Sequence, residues 1–315
     1  MNKIRIGTRE SQLAVWQAER VKALLSENGF AADLVYVKSE GDIDLKTPLY
    51  EMGVQGVFTR SLDIALLNNK IDIAVHSMKD VPTQLPEGIV QAAILKRASF
   101  KDLFVVNRPY AMVDIKSTDD LFKTHHLPAT IATSSIRRKA QWLNRYPDHT
   151  IENLRGNVNT RLRKVEESTW HGAIFAAAGL ERINLRPENS IELDWMLPAP
   201  AQGAIMVVSR ETDAYCLTAC APLNDACTAL CTKVERDFLR TLLGGCSTPI
   251  SALAAIVNNT LVFKGNILSL DGKEKVEIEK TTTIDEAAGL GIVAAEELLN
   301  NGGKAVADNI RHAAK

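Results

Sequence analysis

The chain has 315 residues, 46% of them hydrophobic and 24% charged. That is ordinary usage for a soluble protein of two or three domains, and no apolar run approaches the roughly 20 residues that a bilayer span requires. A formal net charge of -1 excludes a general polyanion binder such as a nucleic-acid protein, so any anion site has to be local.

The opening MNKIRIGTRE has no basic leader or apolar signal core and runs into a strand at residues 3 to 7, which predicts a cytoplasmic protein. SQLAVWQAERVKALLSENG follows as a helix, with Leu13, Trp16, Val21, Leu24 and Leu25 on one stripe and a stop at Gly29. ADLVYVK reads as a strand, SLDIALLNN as a helix, and IDIAVHS as a buried strand ended by Met78, Lys79 and Asp80. Such alternation predicts a parallel sheet. The intervening GDIDLKTPLYEMGVQGVFTR, with Gly41, Pro48, Gly53 and Gly56, is too long for an ordinary connection and reads as a mobile lid over a site.

A second unit begins near Lys101. DLFVVN and TIATS are strands, and SIRRKAQWLNRY is a helix capped by Ser134 or Ser135. NLRGN leads into a helix capped by Asn157, with Val158, Leu162 and Val165 on its inner face, and GAIFAAAG reads as a fully buried strand. LPAPAQGAIMVVSR is one more strand, bringing the chain back into the first sheet. From about Leu223 the pattern changes to ISALAAIV, LVFKGNIL and KVEIEKTT, joined by turns at Asn258-Asn259 and Asp271-Gly272 and followed by the helix EAAGLGIVAAEELLNN. The expected fold is therefore α/β. Two lobes, residues 1–98 with 198–218 and residues 99–197, precede a smaller α+β domain, residues 219–315, with a three-stranded antiparallel sheet.

Ligands of open parallel sheets bind beyond the carboxyl ends of the strands, and cations collect there. Arg9 follows the first strand, Lys79 follows the third, Arg137 and Arg138 open one helix, Arg155 and Arg161 flank the start of the next, and Arg182 follows the last. Guanidinium groups bind carboxylates in bidentate fashion and keep their charge, so the set suits an elongated ligand with several carboxylates or phosphates; for any one of them a solvated helix-end charge is the alternative. Asp80 in that company suits the stabilisation of a cation, such as a heteroaromatic ring that gains charge as a leaving group departs, or else a structural ion pair. Ser77 beside His76 and Lys79 would allow a hydrolase nucleophile, although no Gly-x-Ser-x-Gly elbow is present.

Five cysteines, an odd number, point to reduced thiols. Cys216, Cys220, Cys227 and Cys231 form two C-x-x-x-C pairs that could hold zinc, but their Ala, Leu and Thr neighbours favour incidental thiols. Cys246 differs: in LLGGCSTPI two glycines and a proline make a loop that presents the sulfur, either for covalent chemistry or as a turn residue with no role.

Four motifs occur together and in order: VHSMKDVP at 75–82, TSSIRRKAQ at 133–141, LRGNVNTRL at 154–162 and GGCSTPI at 244–250. With TRESQLAVWQA at 8–18, AGLERI at 178–183 and PAQGA at 200–204, they span nearly the whole chain. By these motifs the chain resembles the hydroxymethylbilane synthase family, also called the porphobilinogen deaminases. The resemblance implies two lobes like those of periplasmic binding proteins and a third domain with the cofactor cysteine. It implies a monomeric cytoplasmic transferase of porphyrin and heme biosynthesis, which joins four porphobilinogen molecules into linear hydroxymethylbilane on a covalent dipyrromethane primer. No metal, nucleic acid or membrane is implied.

Carried over by residue, Cys246 would hold the dipyrromethane through a thioether, and Asp80 with Lys79 would be catalytic. Lys79, Ser77, Thr133, Ser135, Arg137, Arg138 and Asp80 would line the cofactor. Arg9, Ser11, Arg155, Asn157, Arg161, Arg182 and Gln202 would bind substrate. The chain departs from the family in the lid, where Val54-Gln55-Gly56 and Arg60-Ser61 replace the more usual Gly-Lys-Gly and Lys-Glu. Val208 stands where an acidic residue is common, and Ser251 where glycine is usual. A cytoplasmic two-lobe binding protein for an anionic solute is the alternative from another class, but it would have no use for Asp80 or for a presented thiol at Cys246.

Overall fold

A computed structural model of the chain describes residues 3–38, 59–111, 117–125, 128–242 and 248–313. Most of the lid, including Val54 and Gln55, and the loop carrying Cys246 lie outside the described residues. The first lobe opens with β1 (Ile4–Thr8), α1 (Gln12–Glu27) and β2 (Ala32–Tyr36), continues with α2 (Arg60–Leu67) and β3 (Ile73–Ser77), and reaches β4 (Ile89–Ile94). Ser11 caps α1, its hydroxyl accepting from the Ala14 N–H at 3.4 Å. Ala18, Val21 and Leu25 of that helix pack against Ile4, Ile6, Ile73 and Val75 of the sheet. Trp16, expected on the buried stripe, is exposed instead.

The second lobe runs through β5 (Asp102–Val106), α3 (Thr118–His125), β6 (Thr130–Ala132), α4 (Ile136–Arg145), β7 (Thr150–Glu152), α5 (Val158–Glu167), β8 (Gly172–Ala176), α6 (Ala177–Glu181) and β9 (Ser190–Glu192). The run GAIFAAAG is thus divided: the strand ends at Ala176 and the remaining alanines begin a helix, because an apolar run without a period suits either element. The chain then returns as β10 (Ile205–Arg210) into the first sheet. The two sheets have matching orders, β2-β1-β3-β10-β4 and β7-β6-β8-β5-β9. Neither is purely parallel, as alternation alone would have it. β10 lies antiparallel between β3 and β4, and β5 antiparallel between β8 and β9. The reason is the route of the chain: each strand that crosses between lobes enters its sheet from the carboxyl edge of the parallel strands. Ile205 faces Ser77 and Asp102 faces Ala176, so both crossings begin beside the expected ligand edge.

Beyond α7 (Ala214–Cys220) and α8 (Ala226–Thr241) the chain forms an antiparallel meander of β11 (Ile250–Val257), β12 (Thr260–Leu268) and β13 (Lys275–Thr283), covered by α9 (Leu290–Leu298) and α10 (Lys304–Ala313). Its first turn has Asn258 and Asn259 at φ of 48° and 62°, the left-handed pair that a two-residue hairpin needs. Phe238 of α8 meets Phe263 of β12 edge to face at 5.1 Å in this third core. No helix among the described residues is long and apolar enough to cross a membrane.

Candidate functional site

At the carboxyl edge of the first sheet, β3 leads into a tight turn, Met78–Asp80. Met78 is buried and donates its N–H to Ala204 O at 3.0 Å, while Arg236 of α8 donates to Val81 O at 2.9 Å. That anchoring fixes Lys79 and Asp80 at the end of the strand. Lys79 Nζ donates to Gln202 Oε1 at 3.3 Å. Burial lowers the Lys79 pKa to about 8; Arg138 and Arg137 also lower it, against Asp80 and Asp102, which raise it. Ser77 Oγ accepts from Gln17 Nε2 at 2.9 Å and lies 3.3 Å from Gln17 Oε1, so its partner is an amide and not a base, against the hydrolase reading. His76 is buried, and burial together with Arg9 pulls its pKa down to about 4. Arg9, half-buried, directly follows β1, and Ser11 is occupied as the cap of α1.

From the second lobe come three loop-to-helix junctions. Thr133 follows β6, and its hydroxyl accepts from Ser135 N at 3.2 Å. Ser135 in turn caps α4, accepting from Arg138 N at 3.5 Å, which settles the choice between Ser134 and Ser135. Asn157 caps α5 by accepting from Thr160 N at 2.9 Å, between the buried Arg155 and the half-buried Arg161. Arg161 Nε donates to Gly156 O at 2.7 Å. Burial, followed by Arg138, lowers its pKa to about 10, while Asp80 in the other lobe raises it. Arg182 ends α6 and reaches across the lobes, donating to Gly203 O at 2.7 Å with its guanidinium 5.7 Å from the Trp16 ring. This contact accounts for the exposed tryptophan.

Arg137 and Arg138 share a carboxylate partner that their position in the sequence does not reveal. Both are buried around Asp102, the first residue of β5, which is 0% exposed. Arg137 Nη2 donates to Asp102 Oδ2 at 2.7 Å, and Arg138 Nη2 to Oδ1 at 2.7 Å. Gln202 Nε2 adds a third partner at 2.9 Å. Asp102 and Gln17 escaped the sequence reading; a carboxylate opening the otherwise apolar DLFVV was the available signal for the first. Of the cysteine pairs, Cys216 and Cys220 lie buried among the apolar side chains of the first lobe's core, and burial pushes the Cys220 thiol up to about 12. Cys231 is buried and Cys227 exposed.

The cleft thus concentrates Lys79, Arg137, Arg138, Arg155 and Arg161 around two carboxylates, Asp80 and Asp102. Desolvated cations in excess over anions favour a ligand that brings several carboxylates. Buried Arg137 Nε has no hydrogen-bond partner among the described residues, so a donor is left over for such a ligand. These features fit a dipyrromethane carrying carboxylate side chains.

The comparisons agree with this chemistry. A family model described as "Porphobilinogen deaminase, dipyromethane cofactor binding domain" matches residues 4–218, and one for the "Porphobilinogen deaminase, C-terminal domain" matches residues 229–300. A curated porphobilinogen deaminase of Chloroherpeton thalassium is 40% identical over 314 residues, covering 97% of this chain and 97% of its own. Among solved structures, the methionine binding protein MetQ is 14% identical, covering 70% of this chain and 89% of its own, with a TM-score of 0.43. The VFT2 domain of BvgS from Bordetella pertussis is 12% identical, covering 69% and 84%, with a TM-score of 0.40. At such scores neither structure carries weight here.

Proposed function

The chain belongs to the porphobilinogen deaminase family, and from that premise we propose that Asp80, Lys79 and the arginines of the cleft carry the family's reaction in this protein. The reaction is the stepwise deaminative joining of four porphobilinogen molecules into hydroxymethylbilane. The enzyme is a transferase of tetrapyrrole biosynthesis and works with a dipyrromethane cofactor. When bound, the cofactor supplies a covalently anchored primer with a nucleophilic terminal pyrrole. In our reading Cys246 holds it through a thioether, and Arg137, Arg138, Lys79, Ser77, Thr133 and Ser135 receive it.

Arg9, Ser11, Arg155, Asn157, Arg161, Arg182 and Gln202 hold the incoming porphobilinogen by its acetate and propionate. As the carbon–nitrogen bond of its protonated aminomethyl group breaks, ammonia leaves with the electron pair and positive charge spreads onto the pyrrole. Asp80 faces that charge. A preorganised group aimed at developing charge is worth about 10²–10³ in rate. Lys79 beside it balances the carboxylate between turnovers, and the low exposure of the cleft strengthens both interactions. The observation that carries this reading is the anchored turn Met78–Asp80, which places the Asp80 carboxylate at the carboxyl edge of the first sheet next to Lys79, itself held by Gln202. We assign residues 1–98 with 198–218 to the catalytic lobe, 99–197 to the arginine-rich lobe and 219–315 to the domain presenting Cys246, in a cytoplasmic monomer.

Intact mass tests the anchoring: the purified protein should exceed its sequence mass by two linked pyrrole units, and Cys246→Ser should not. If neither preparation gains the adduct on incubation with porphobilinogen, the assignment fails and a solute-binding role takes its place. Asp80→Asn should fold normally and lose about 10²–10³ in kcat. Normal turnover by that variant would remove Asp80 from the mechanism.

A further inference from the structure

We propose that Asp102 is a positioning residue of this reaction, acting through Arg137, Arg138 and Gln202 to hold the cofactor-binding cations at the crossing between the lobes. The inference rests on the reading above, in which Arg137 and Arg138 receive the cofactor.

Asp102 has no exposed surface, and both its oxygens are occupied. Oδ2 accepts from Arg137 Nη2 at 2.7 Å; Oδ1 accepts from Arg138 Nη2 at 2.7 Å, Arg138 Nε at 3.2 Å and Gln202 Nε2 at 2.9 Å. A carboxylate so enclosed does not meet a substrate, so its effect has to pass through its partners. The second anchor of each guanidinium is a main-chain oxygen: Leu197 O for Arg137 at 2.7 Å and Ile174 O for Arg138 at 3.0 Å. With these, each planar group is fixed in plane and direction, as a rigid binding group has to be. Gln202 extends the network, donating also to Phe100 O at 2.8 Å and accepting from Lys79 at 3.3 Å. One carboxylate thereby orders two arginines of α4, an amide of the returning crossing segment and, through that amide, the lysine beside Asp80.

Charge points the same way. Without Asp102 two adjacent guanidinium groups would lie buried together with no anion between them. Asn at this position could accept from one arginine only, while its NH2 would face the donors of the other. Glutamate keeps the charge but sets its carboxylate one methylene further from the strand, which in a close-packed interior displaces the two guanidinium groups.

The test compares the holoenzyme with Asp102→Asn, Asp102→Glu, Arg137→Gln and the double variant Asp102→Asn/Arg137→Gln, by intact mass, thermal unfolding, kcat and KM. Misplacement of about 1 Å costs on the order of a hundredfold, so kcat/KM of folded Asp102→Asn should fall by about that factor, and the fraction of folded protein carrying the adduct should fall with it. A residue with only a structural role would lower Tm and leave the adduct fraction of the folded protein unchanged. Coupling through Arg137 requires the double variant to lose less than the product of the two single losses. If Asp102→Asn does not fold, Asp102→Glu decides, with an expected loss of about tenfold in kcat/KM and a lower adduct fraction. Wild-type kcat/KM and adduct fraction in the folded variants, or losses that simply multiply, would overturn the role of Asp102 alone. Absence of the adduct from the wild-type protein after porphobilinogen would overturn the functional reading as well.

Discussion

At Lys79 burial outweighs attraction, and the consequence can be read from pH. The ammonium titrates at about 8 in the folded protein and near 10.4 in an unfolded chain. Below about pH 8 both states hold the proton and the folded state bears the full desolvation penalty. Between about 8 and 10.4 the unfolded chain binds a proton that the native state has released, so this group makes stability rise with pH. Lys79→Met should therefore stabilise the protein at neutral pH, with the gain fading by about pH 10.5. Urea midpoints at the two pH values measure it, and an equal gain at both would assign the effect to packing. Chain position alone located Lys79, Asp80, Arg155 and Arg161 at the ligand edge, because each follows a strand or opens a helix. It could not reveal that Arg137 and Arg138 are tied to Asp102, which lies 35 and 36 residues upstream on another strand.

Among the elements, two helix starts were legible because a cap is a local event, and Ser135 and Asn157 each bond the first turn they precede, whereas the caps at Ser11, Asp213 and Asp225 went unread. Strands as short as Thr130–Ala132, Thr150–Glu152 and Ser190–Glu192 carry too few residues for a period, and the last two went unread. Ser251, a departure from the family pattern, has a physical use: it is fully buried and its hydroxyl receives Gln141 Nε2 at 3.0 Å, tying β11 to α4. The cap at Asn157 bears on function because it opens the turn between Arg155 and Arg161. Asn157→Ala should cost about 1 kcal/mol in urea unfolding and raise KM for porphobilinogen. Asn157→Ser should regain most of the stability. If Asn157→Ala lowered stability and left KM unchanged, the cap would support the helix without setting the arginines.

Across the whole molecule, the lobes are joined where β5 and β10 enter their sheets, and the two crossing segments touch. A Cβ on Gly203 would lie 2.6 Å from Ser99 O, and its φ of +88° is one that glycine adopts without strain. The third domain grips this junction through one buried carboxylate. Glu235 of α8 pairs with Arg97 at 2.5 Å and accepts the N–H groups of Ala201 at 2.6 Å and Ala254 at 2.8 Å, so the first crossing segment, the second and β11 meet on one side chain. Breaking such a pair leaves a desolvated charge behind, whereas removing both charges relieves that penalty. Glu235→Gln should accordingly destabilise the protein by roughly 3–5 kcal/mol, and Arg97→Met/Glu235→Gln by less than Glu235→Gln alone, since the double variant leaves no guanidinium unpaired, while in both variants the single oxygen of glutamine accepts from one of the two backbone donors that Oε1 and Oε2 now hold. Urea unfolding followed by tryptophan fluorescence and by far-ultraviolet circular dichroism reads the joint as well as the energy, because Trp16, Trp142, Trp170 and Trp195 all lie in the lobes. Coincident transitions in the wild type that separate in Glu235→Gln would show the third domain released from the lobes. A loss below about 1 kcal/mol, the value of an exposed pair, would mean that packing between α8 and the first sheet holds the domains together without the ion pair.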